Sequence, residues 1–394
     1  MLDFPDVFFK RIYFSYRRWF KGEKFSYQNL YKLHFLFCTI RLLDYRIVKY
    51  RTYLKTILKE VLKMINVAIN GFGRIGRMVF RAGWNDKKVN FVAINDLTSP
   101  ENLAYLLKYD SVYGAFKESV SFTKDSLIVG KKKIAVYAEK EPNLLPWKKL
   151  KIDVVIESSG FFLTSELAGK HLEAGAKKVI LTANHKTGDK MKSLIRGVNH
   201  HLYNRKTDHI ISKCSCTTTC LSPIASVLDE KLGIQKGFLT TVHGVTNSQK
   251  IADSPHKTFR EGRSILNNLI PTQTGAAVAV TRILPKLVGK LDGIAVRAPV
   301  PTGSLVDFTC TVKRKTSVEE VNTIFQEAAK GKMKGIIEYS EEELVSTDIA
   351  GNIHSAIFDS KLTRVEDNLV KIFAWYDNEY GYAHEVVEMI KIVA

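Results

Sequence analysis

The chain has 394 residues, enough for two ordinary domains that each bury a hydrophobic core. Hydrophobic residues make up 45% of it and charged residues 25%, which excludes a disordered chain and does not suggest a membrane-embedded one. The net charge of +19 is unevenly distributed, because residues 1–63 carry 14 of the 59 Lys and Arg but only 5 of the 40 Asp and Glu. The moderately positive remainder suits small anionic substrates and does not require a nucleic-acid partner.

Residues 1–63 mix aromatic and basic side chains, as in Tyr16-Arg17-Arg18-Trp19-Phe20. Charges interrupt each apolar run, so no signal peptide or transmembrane helix is predicted. Early acidic residues and few serines argue against a mitochondrial-type presequence. We interpret the segment as a basic aromatic extension, non-native or disordered, ahead of a start at Met64. A membrane-surface anchor and an integrated part of the fold are the alternatives.

From Met64 onward, short apolar runs alternate with helical patterns. Strands are predicted at residues 65–70, 90–95, 154–156 and 179–181, and the first helix at residues 77–84. This βαβ rhythm indicates a parallel sheet with helices on both faces.

Residues 71–76 match the G-x-G-x-x-G fingerprint, follow a strand and open a helix. In this context Gly71 permits a tight turn, Gly73 allows a pyrophosphate to approach the backbone, and Gly76 allows close packing of helix on strand. Asp96 ends the next strand, where a carboxylate binds ribose hydroxyls and repels a 2′-phosphate, which favours NAD over NADP. The alternative is a glycine turn that holds no ligand.

Three of the five cysteines, Cys214, Cys216 and Cys220, lie within seven positions, which does not resemble a disulfide framework and indicates a reducing compartment. The strand at 209–213 leads into this cluster and a helix follows. A thiol at such a turn is expected to have a lowered pKa. His243 ends a later strand and could activate it. Buried structural thiols, or a metal site with His209, are the alternatives, although the spacing lacks paired metal ligands.

Beyond Cys216 the predicted strands are longer and more strictly alternating. They cover residues 237–242, 293–296, 305–312 and 370–375. Alternation of this kind favours an antiparallel or mixed sheet, so we expect a domain boundary near residue 215.

Six segments in order resemble the glyceraldehyde-3-phosphate dehydrogenase family over essentially all of residues 64–394. They are residues 69–77, 108–114, 215–218, 241–243, 274–277 and 375–382. The resemblance implies an α/β fold with a Rossmann-type NAD-binding domain, residues 64–215 completed by a C-terminal helix at 378–394, and an α+β catalytic domain with a mixed sheet, residues 216–377. It also implies a cytoplasmic homotetramer of glycolysis and gluconeogenesis.

The activity implied is the NAD-dependent conversion of D-glyceraldehyde 3-phosphate and inorganic phosphate to 1,3-bisphosphoglycerate. Cys216 matches the nucleophile and His243 its base, and no metal is implied. Contacts to NAD are implied for Gly71, Gly73, Arg74, Ile75, Gly76, Asp96, Lys140, Thr182 and Asn378. Thr246 and Arg297 match the site for the substrate's phosphate, and Ser215, Thr217, Thr274 and Gly275 the site for inorganic phosphate, with Arg263 beside it.

The segment around the nucleophile departs from the usual family pattern. Lys213 and Thr219 stand where asparagines are usual, Cys214 stands for alanine, and Ser248 stands for aspartate or threonine. None of these changes removes a catalytic group, although rate and thiol pKa are expected to respond. An erythrose-4-phosphate dehydrogenase, or a degenerate relative that binds RNA or membranes, are the alternative functions.

Because residues 1–63 supply none of these motifs, we predict that a protein starting at Met64 keeps its fold, oligomeric state and activity. Thermal melting, native mass and dehydrogenase assay of the two forms measure this. A large fall in melting temperature, or a smaller oligomer, would show that the segment belongs to the structure, since burial of its aromatics would stabilise it by roughly 25 cal/mol per Å².

Overall fold

The computed structural model describes residues 64–394, which form one compact unit. Our interpretation of residues 1–63 as an extension lies outside the described residues. Within residues 64–394, no helix is long and apolar enough to cross a bilayer.

The described part of the chain contains two sheets and seven α-helices. The strands are β1 (Ile65–Asn70), β2 (Val89–Asn95), β3 (Val120–Thr123), β4 (Ser126–Val129), β5 (Lys132–Tyr137), β6 (Val154–Glu157), β7 (Lys178–Leu181), β8 (Lys192–Ser193), β9 (Ile210–Ser212), β10 (Ile234–His243), β11 (Ile270–Gln273), β12 (Leu291–Arg297), β13 (Ser304–Val312), β14 (Ile337–Ser340), β15 (Ala356–Glu366) and β16 (Leu369–Tyr376). The helices are α1 (Arg74–Gly83), α2 (Pro100–Lys108), α3 (Ser165–Glu173), α4 (Cys216–Lys231), α5 (Ala276–Ile283), α6 (Val318–Lys330) and α7 (Tyr380–Val393).

The first sheet has nine strands in the order β3-β4-β5-β2-β1-β6-β7-β9-β8. In this spatial order, all neighbouring strands between β5 and the edge strand β8 pair in parallel, as predicted. The hairpin of β3 and β4 adds an antiparallel edge. Along β1, Val67 and Ile69 join one core with residues of α1 and α7, whereas Ala68 joins another with Trp147. Since successive strand side chains point to opposite faces, both faces of this sheet are covered.

The second sheet is mixed, as predicted, with seven strands in the order β11-β12-β10-β13-β16-β15-β14. Its β10 and β12 are parallel, and β10, β13 and β16 are successively antiparallel. Helices α4, α5 and α6 pack on one face, where Phe308, Phe325 and Phe358 lie in the core. On the other face Phe238 is 70% exposed and Ile294 is 49% exposed, so residues 64–394 leave these side chains uncovered.

The junction between β16 and α7 joins the two sheets through a buried carboxylate. Asp377 accepts hydrogen bonds from the Tyr113 hydroxyl at 2.8 Å and from the backbone N–H groups of Gly351 and Tyr380 at 2.7 and 2.8 Å. From there α7 packs against α1, with Met78 and Val387 in one core, as the family resemblance implied. The last described helix therefore shares a hydrophobic core with the first.

Removing one donor from this junction should destabilise the protein. We predict that Tyr113→Phe lowers the free energy of unfolding by about 1–3 kcal/mol, because part of a buried carboxylate loses its partner. Thermal melting at fixed protein concentration measures the effect. Tyr105→Phe is the control, since that side chain is 62% exposed on α2; equal melting temperatures for the two variants would contradict the role given to Tyr113.

Candidate active site

Cys216 begins a helix, as the sequence predicted. Strand β9 ends at Ser212, Cys214 has a positive φ of 65°, and the Ser215 hydroxyl accepts the Thr218 N–H at 3.2 Å as the N-cap of α4. Cys216 is therefore the first helical residue, where backbone N–H groups lack partners within the helix. The helix continues through Pro223, which propensity alone would not predict at that position.

The imidazole of His243 reaches the thiol from the second sheet. Its Nε2 lies 3.4 Å from the Sγ of Cys216. Because β10 and β12 run parallel with His243 opposite Arg297, both strands deliver a basic side chain at the same sheet edge. The pair therefore has the geometry of a nucleophile beside a base.

Burial and one arginine set the protonation of this pair. Burial and the charge of Arg297 lower the pKa of His243 to about 4, so its imidazole is neutral at physiological pH. Burial raises the pKa of the Cys216 thiol, against the opposing effects of Arg297 and the Thr217 backbone N–H. The prediction of a lowered thiol pKa is thus wrong for this state of the protein, because desolvation of the thiolate outweighs the helix N-terminus.

Two partners compete for Nδ1 of His243. The carbonyl oxygen of Gly244 and the Nη1 of Arg297 both lie 2.7 Å from it. The carbonyl only accepts and the guanidinium only donates, so one imidazole tautomer satisfies only one of them. Moving Arg297 towards an anion would leave Nδ1–H on the Gly244 carbonyl and the Nε2 lone pair facing the thiol.

The buried Tyr376 contacts both the helix that carries Cys216 and the strand that carries His243. The Tyr376 hydroxyl lies 2.8 Å from the Thr217 hydroxyl and 2.9 Å from that of Thr241, and its ring packs edge-on to His243 at 6.0 Å. It links the first turn of α4 to β10, which fixes the separation of thiol and imidazole. The sequence analysis missed this role, although Tyr376 lies inside one of the six recognised segments.

One cleft of about 1300 Å³ gathers most of the predicted site residues. The predicted residues that line it are Gly73, Arg74, Ile75, Thr182, Ser215, Cys216, Thr217, His243, Thr246, Thr274, Gly275, Arg297 and Asn378. Ser158, Ser159, Asn184, Gln249 and Tyr382 also line it and were not predicted. The glycine loop and the thiol thus share one concave surface, which is a usual setting for a cofactor and its substrate.

The glycine loop has the geometry of a ligand cradle. A Cβ on Gly71 would lie 2.5 Å from the Ser159 nitrogen and one on Gly76 would lie 2.2 Å from the Gly71 oxygen, so packing requires both glycines. A Cβ on Gly73 would meet nothing within 4 Å. Packing inside the chain therefore does not explain Gly73, whereas close approach of a pyrophosphate does.

Asp96 supports this loop rather than lining the cleft. One carboxylate oxygen accepts the Phe72 N–H at 2.7 Å and the other accepts the Thr98 N–H at 2.9 Å. Arg74 is held in turn by Glu379 at 2.6 Å and by an ion pair with Asp110. These contacts fix the charged groups around the start of α1.

The remaining cleft residues are oriented by local hydrogen bonds. The Asn378 amide oxygen accepts from the Ser304 hydroxyl at 2.8 Å, which leaves its NH₂ group as a donor. The Thr182 hydroxyl donates to the Glu157 carbonyl at 3.1 Å, and the Thr246 hydroxyl donates to Gln249 at 2.9 Å. Gly275 caps the N-terminus of α5, and a Cβ there would meet nothing within 4 Å.

Besides Gly71, Gly76 and Asp96, two further predicted residues lie away from the cleft wall. Lys140 is exposed, and Arg263 is 63% exposed with its Nε 2.8 Å from Asp253. Neither lines the cleft in this state. Among residues 64–394 no cluster of His, Cys, Asp and Glu has the geometry to hold a metal ion, so the cysteine cluster with His209 does not assemble one there.

Comparison with known proteins gives two family matches. The model of the glyceraldehyde 3-phosphate dehydrogenase NAD binding domain matches residues 65–165, and that of the C-terminal domain matches residues 215–378. A glyceraldehyde-3-phosphate dehydrogenase of Geobacillus stearothermophilus is 49% identical over 331 residues, covering 84% of this chain and 98% of the relative. Others of Bacillus subtilis and Bacteroides fragilis are also 49% identical, each covering 84% of this chain and 97% and 99% of the relative.

The electrostatic role of Arg297 can be measured directly. We predict that Arg297→Leu moves the pH profile of Cys216 alkylation to higher pH, because the cation that favours the thiolate is lost. The pKa of His243 should rise for the same reason and remain below its usual value, since burial persists. Iodoacetamide is the reagent of choice because it is neutral. Arg314→Leu, on an exposed ion pair with Glu320, is the control; an unshifted profile in the Arg297 variant would refute this account.

Proposed function

Since the chain belongs to the glyceraldehyde-3-phosphate dehydrogenase family, we propose that this cleft oxidises D-glyceraldehyde 3-phosphate to 1,3-bisphosphoglycerate with NAD and inorganic phosphate. The observation that carries the proposal is the Cys216 thiol, 3.4 Å from a neutral imidazole in the same cleft as the glycine loop. This is a reaction of glycolysis, and the protein is an NAD-dependent oxidoreductase.

The described residues fit NAD. Gly73 leaves room for the pyrophosphate, and the N-terminus of α1 directs backbone N–H groups and a positive dipole towards it. The fixed Asp96 carboxylate would repel a 2′-phosphate. The separate cores of the two sheets support an NAD-binding domain at 64–215, completed by 378–394, and a catalytic domain at 216–377.

The first step assigned to the protein is activation of the thiol. His243 Nε2 accepts the Cys216 proton as the sulfur bonds to the aldehyde carbon, and the imidazolium returns the proton to the developing alkoxide. Binding of an anion at Arg297 favours this step, because it releases Nδ1 of His243 to the Gly244 carbonyl.

NAD, held at the glycine loop, would supply the hydride acceptor for the carbon attached to sulfur. His243 takes the hydroxyl proton as the hydride leaves, which gives a thioester on Cys216. Asn378 would hold the cofactor's carboxamide through its free NH₂ group. An oxygen of inorganic phosphate then attacks the acyl carbon, the C–S bond breaks, and the Cys216 thiolate leaves.

Two anions must be held near the thiol at once. Arg297 and Thr246 would hold the phosphate of the substrate, on the β12 side of the cleft. Ser215, Thr217, Thr274 and Gly275 would hold inorganic phosphate, with Arg263 beside it. The N-termini of α4 and α5 both open into this cleft, and helix N-termini favour anions.

We also propose a homotetramer in the cytoplasm. Support for the assembly comes from the open face of the second sheet, where Phe238 and Ile294 are exposed, and from Phe259, which is 94% exposed on the loop that follows β10. An apolar surface of this kind is typical of subunit interfaces. The four cysteines of the described part are all free thiols, which fits a reducing compartment.

The decisive test is NADH formation from glyceraldehyde 3-phosphate with and without inorganic phosphate. We expect multiple turnovers with phosphate and at most about one NADH per site without it. Cys216→Ala should abolish turnover and leave NAD binding nearly intact, because the loop contacts do not use the thiol. Cys220→Ala, one turn further along α4, is the matched control and should retain activity.

A Cys216→Ala variant with more than a few per cent of wild-type turnover would overturn the assignment of the nucleophile. Better turnover of erythrose 4-phosphate than of glyceraldehyde 3-phosphate would favour the related sugar-phosphate dehydrogenase instead.

A further inference from the structure

One lysine is fully buried in the turn that precedes the nucleophile. Lys213 is 0% exposed, although lysines are almost never fully buried because desolvation of an ammonium is costly. It follows β9 and lies three residues before Cys216. Lys213 and Thr219 are also two of the positions at which this segment departs from the usual family pattern.

These two departures contact each other. The Nζ of Lys213 lies 3.1 Å from the Thr219 hydroxyl and 5.7 Å from the centre of the Tyr382 ring. Thr219 is three residues after Cys216 on α4, and residues at that spacing are neighbours on a helix surface. Tyr382 lies on the first turn of α7, lines the cleft, and donates its hydroxyl to the Cys214 carbonyl at 2.8 Å. The ammonium therefore bridges the starts of α4 and α7.

The charged surroundings of Lys213 include a buried carboxylate on α7. Glu385 is 0% exposed and is bonded by Arg196 at 2.5 Å. Burial lowers the pKa of Lys213 and so does Arg196, whereas Glu385 and Cys214 oppose that change. Within residues 64–394, the hydrogen-bond acceptor of its Nζ is the Thr219 hydroxyl.

A second buried lysine shows what a purely structural role looks like. Lys178 is 6% exposed, lies over the Tyr203 ring at 5.4 Å, and donates to the carbonyls of Arg205 and Asp208. These partners belong to a loop before β9 that does not line the cleft. Lys213 instead contacts side chains of the two helices that border the cofactor and the thiol.

We propose that Lys213 is a positioning residue that, through Thr219 and Tyr382, holds the first turn of α4 and its nucleophile against the cofactor side of the cleft. The proposal rests on the role given to Cys216 above. It goes further because it attributes the position of the thiol to the contact between Lys213 and Thr219.

The consequence for reactivity follows from the first turn of α4. The backbone N–H groups of Cys216 and Thr217 lower the thiol pKa, against the larger opposing effect of burial. Their alignment depends on the position of that turn. Releasing Thr219 from Lys213 should loosen it, weaken the stabilisation of the thiolate and raise the pKa of Cys216.

The experiment compares Thr219→Val, Lys213→Met and the double variant in the full chain. Alkylation of Cys216 by iodoacetamide is followed across pH, with the labelled peptide measured by mass spectrometry. Thr219→Val removes the acceptor and keeps the charge; we expect its profile to move up by about half a pKa unit, so that alkylation below the thiol pKa is about threefold slower. Lys213→Met should shift about as far, because it breaks the same contact from the other side.

The double variant should match Lys213→Met, because both substitutions break one contact. The proposal would be overturned if the double variant shifted by the sum of the two single shifts. It would also be overturned if the alkylation profile of Thr219→Val did not move. Lys178→Met and Thr363→Val are the controls. Thr363 is 1% exposed and bonds Asn322 at 2.7 Å away from the cleft. Both controls should lower the melting temperature without moving the alkylation profile. A moved profile in either control would overturn the proposal, because loss of stability alone would then explain the shift.

NADH formation gives the second readout. Thr219→Val should lower kcat by about tenfold with little change in KM for NAD, since small misplacements of reacting groups are costly and the glycine loop is untouched. If the wild-type chain formed no NADH, the proposed function would fail, whereas the alkylation profiles would still decide the role of Lys213.

Discussion

The hydrogen bonds accepted by the buried Asp377 carboxylate hold the cofactor side of the cleft to its catalytic side. Tyr113 reaches it from the segment after α2 and Tyr380 from the start of α7, whereas Gly351 reaches it from the segment between β14 and β15. Asn378 and Glu379 follow directly in the chain, so their positions depend on it. Through Glu379 the same junction fixes Arg74 at the start of α1. A charge at this depth is tolerable only because donors from both halves converge on it.

The electrostatics of the site follow from burial more than from formal charge. The Cys216 thiol and the His243 imidazole are both desolvated, so each favours its neutral form. The positive charge of Arg297 favours an anion beside it and disfavours the imidazolium. Such a site is poised to gain its reactive charge distribution when an anionic substrate arrives. The helix N-termini that open into the cleft contribute in the same sense, because their dipoles are fixed before any ligand binds.

Local patterns in the sequence predicted much of the fold. Strands β1 and β2, the glycine loop and the helix after Cys216 all follow from apolar periodicity and turn residues read over short windows. The start of α1 at Arg74 was predicted three residues late, because arginine and isoleucine after a glycine turn give no cap signal. Contacts across the chain were not predictable in this way. The bridge of Tyr376 to Thr217 and Thr241, and the pair of Lys213 with Thr219, depend on how the sheets and helices pack. The net effect on the thiol pKa likewise required its burial to be known.

The packing of α7 on α1 has a consequence for synthesis of the protein. The two helices stand at opposite ends of the described sequence, and Val79 and Met78 of the first share a core with Val386, Val387 and Ile390 of the last. During translation the first sheet emerges before α7, so this apolar surface stays uncovered until α7 leaves the ribosome. Domains generally fold as units during synthesis, and apolar surface that is exposed meanwhile is prone to aggregation. Here the core that begins with β1 and α1 is covered only by α7. Nascent chains stalled before α7 would therefore expose apolar surface to chaperones and to aggregation.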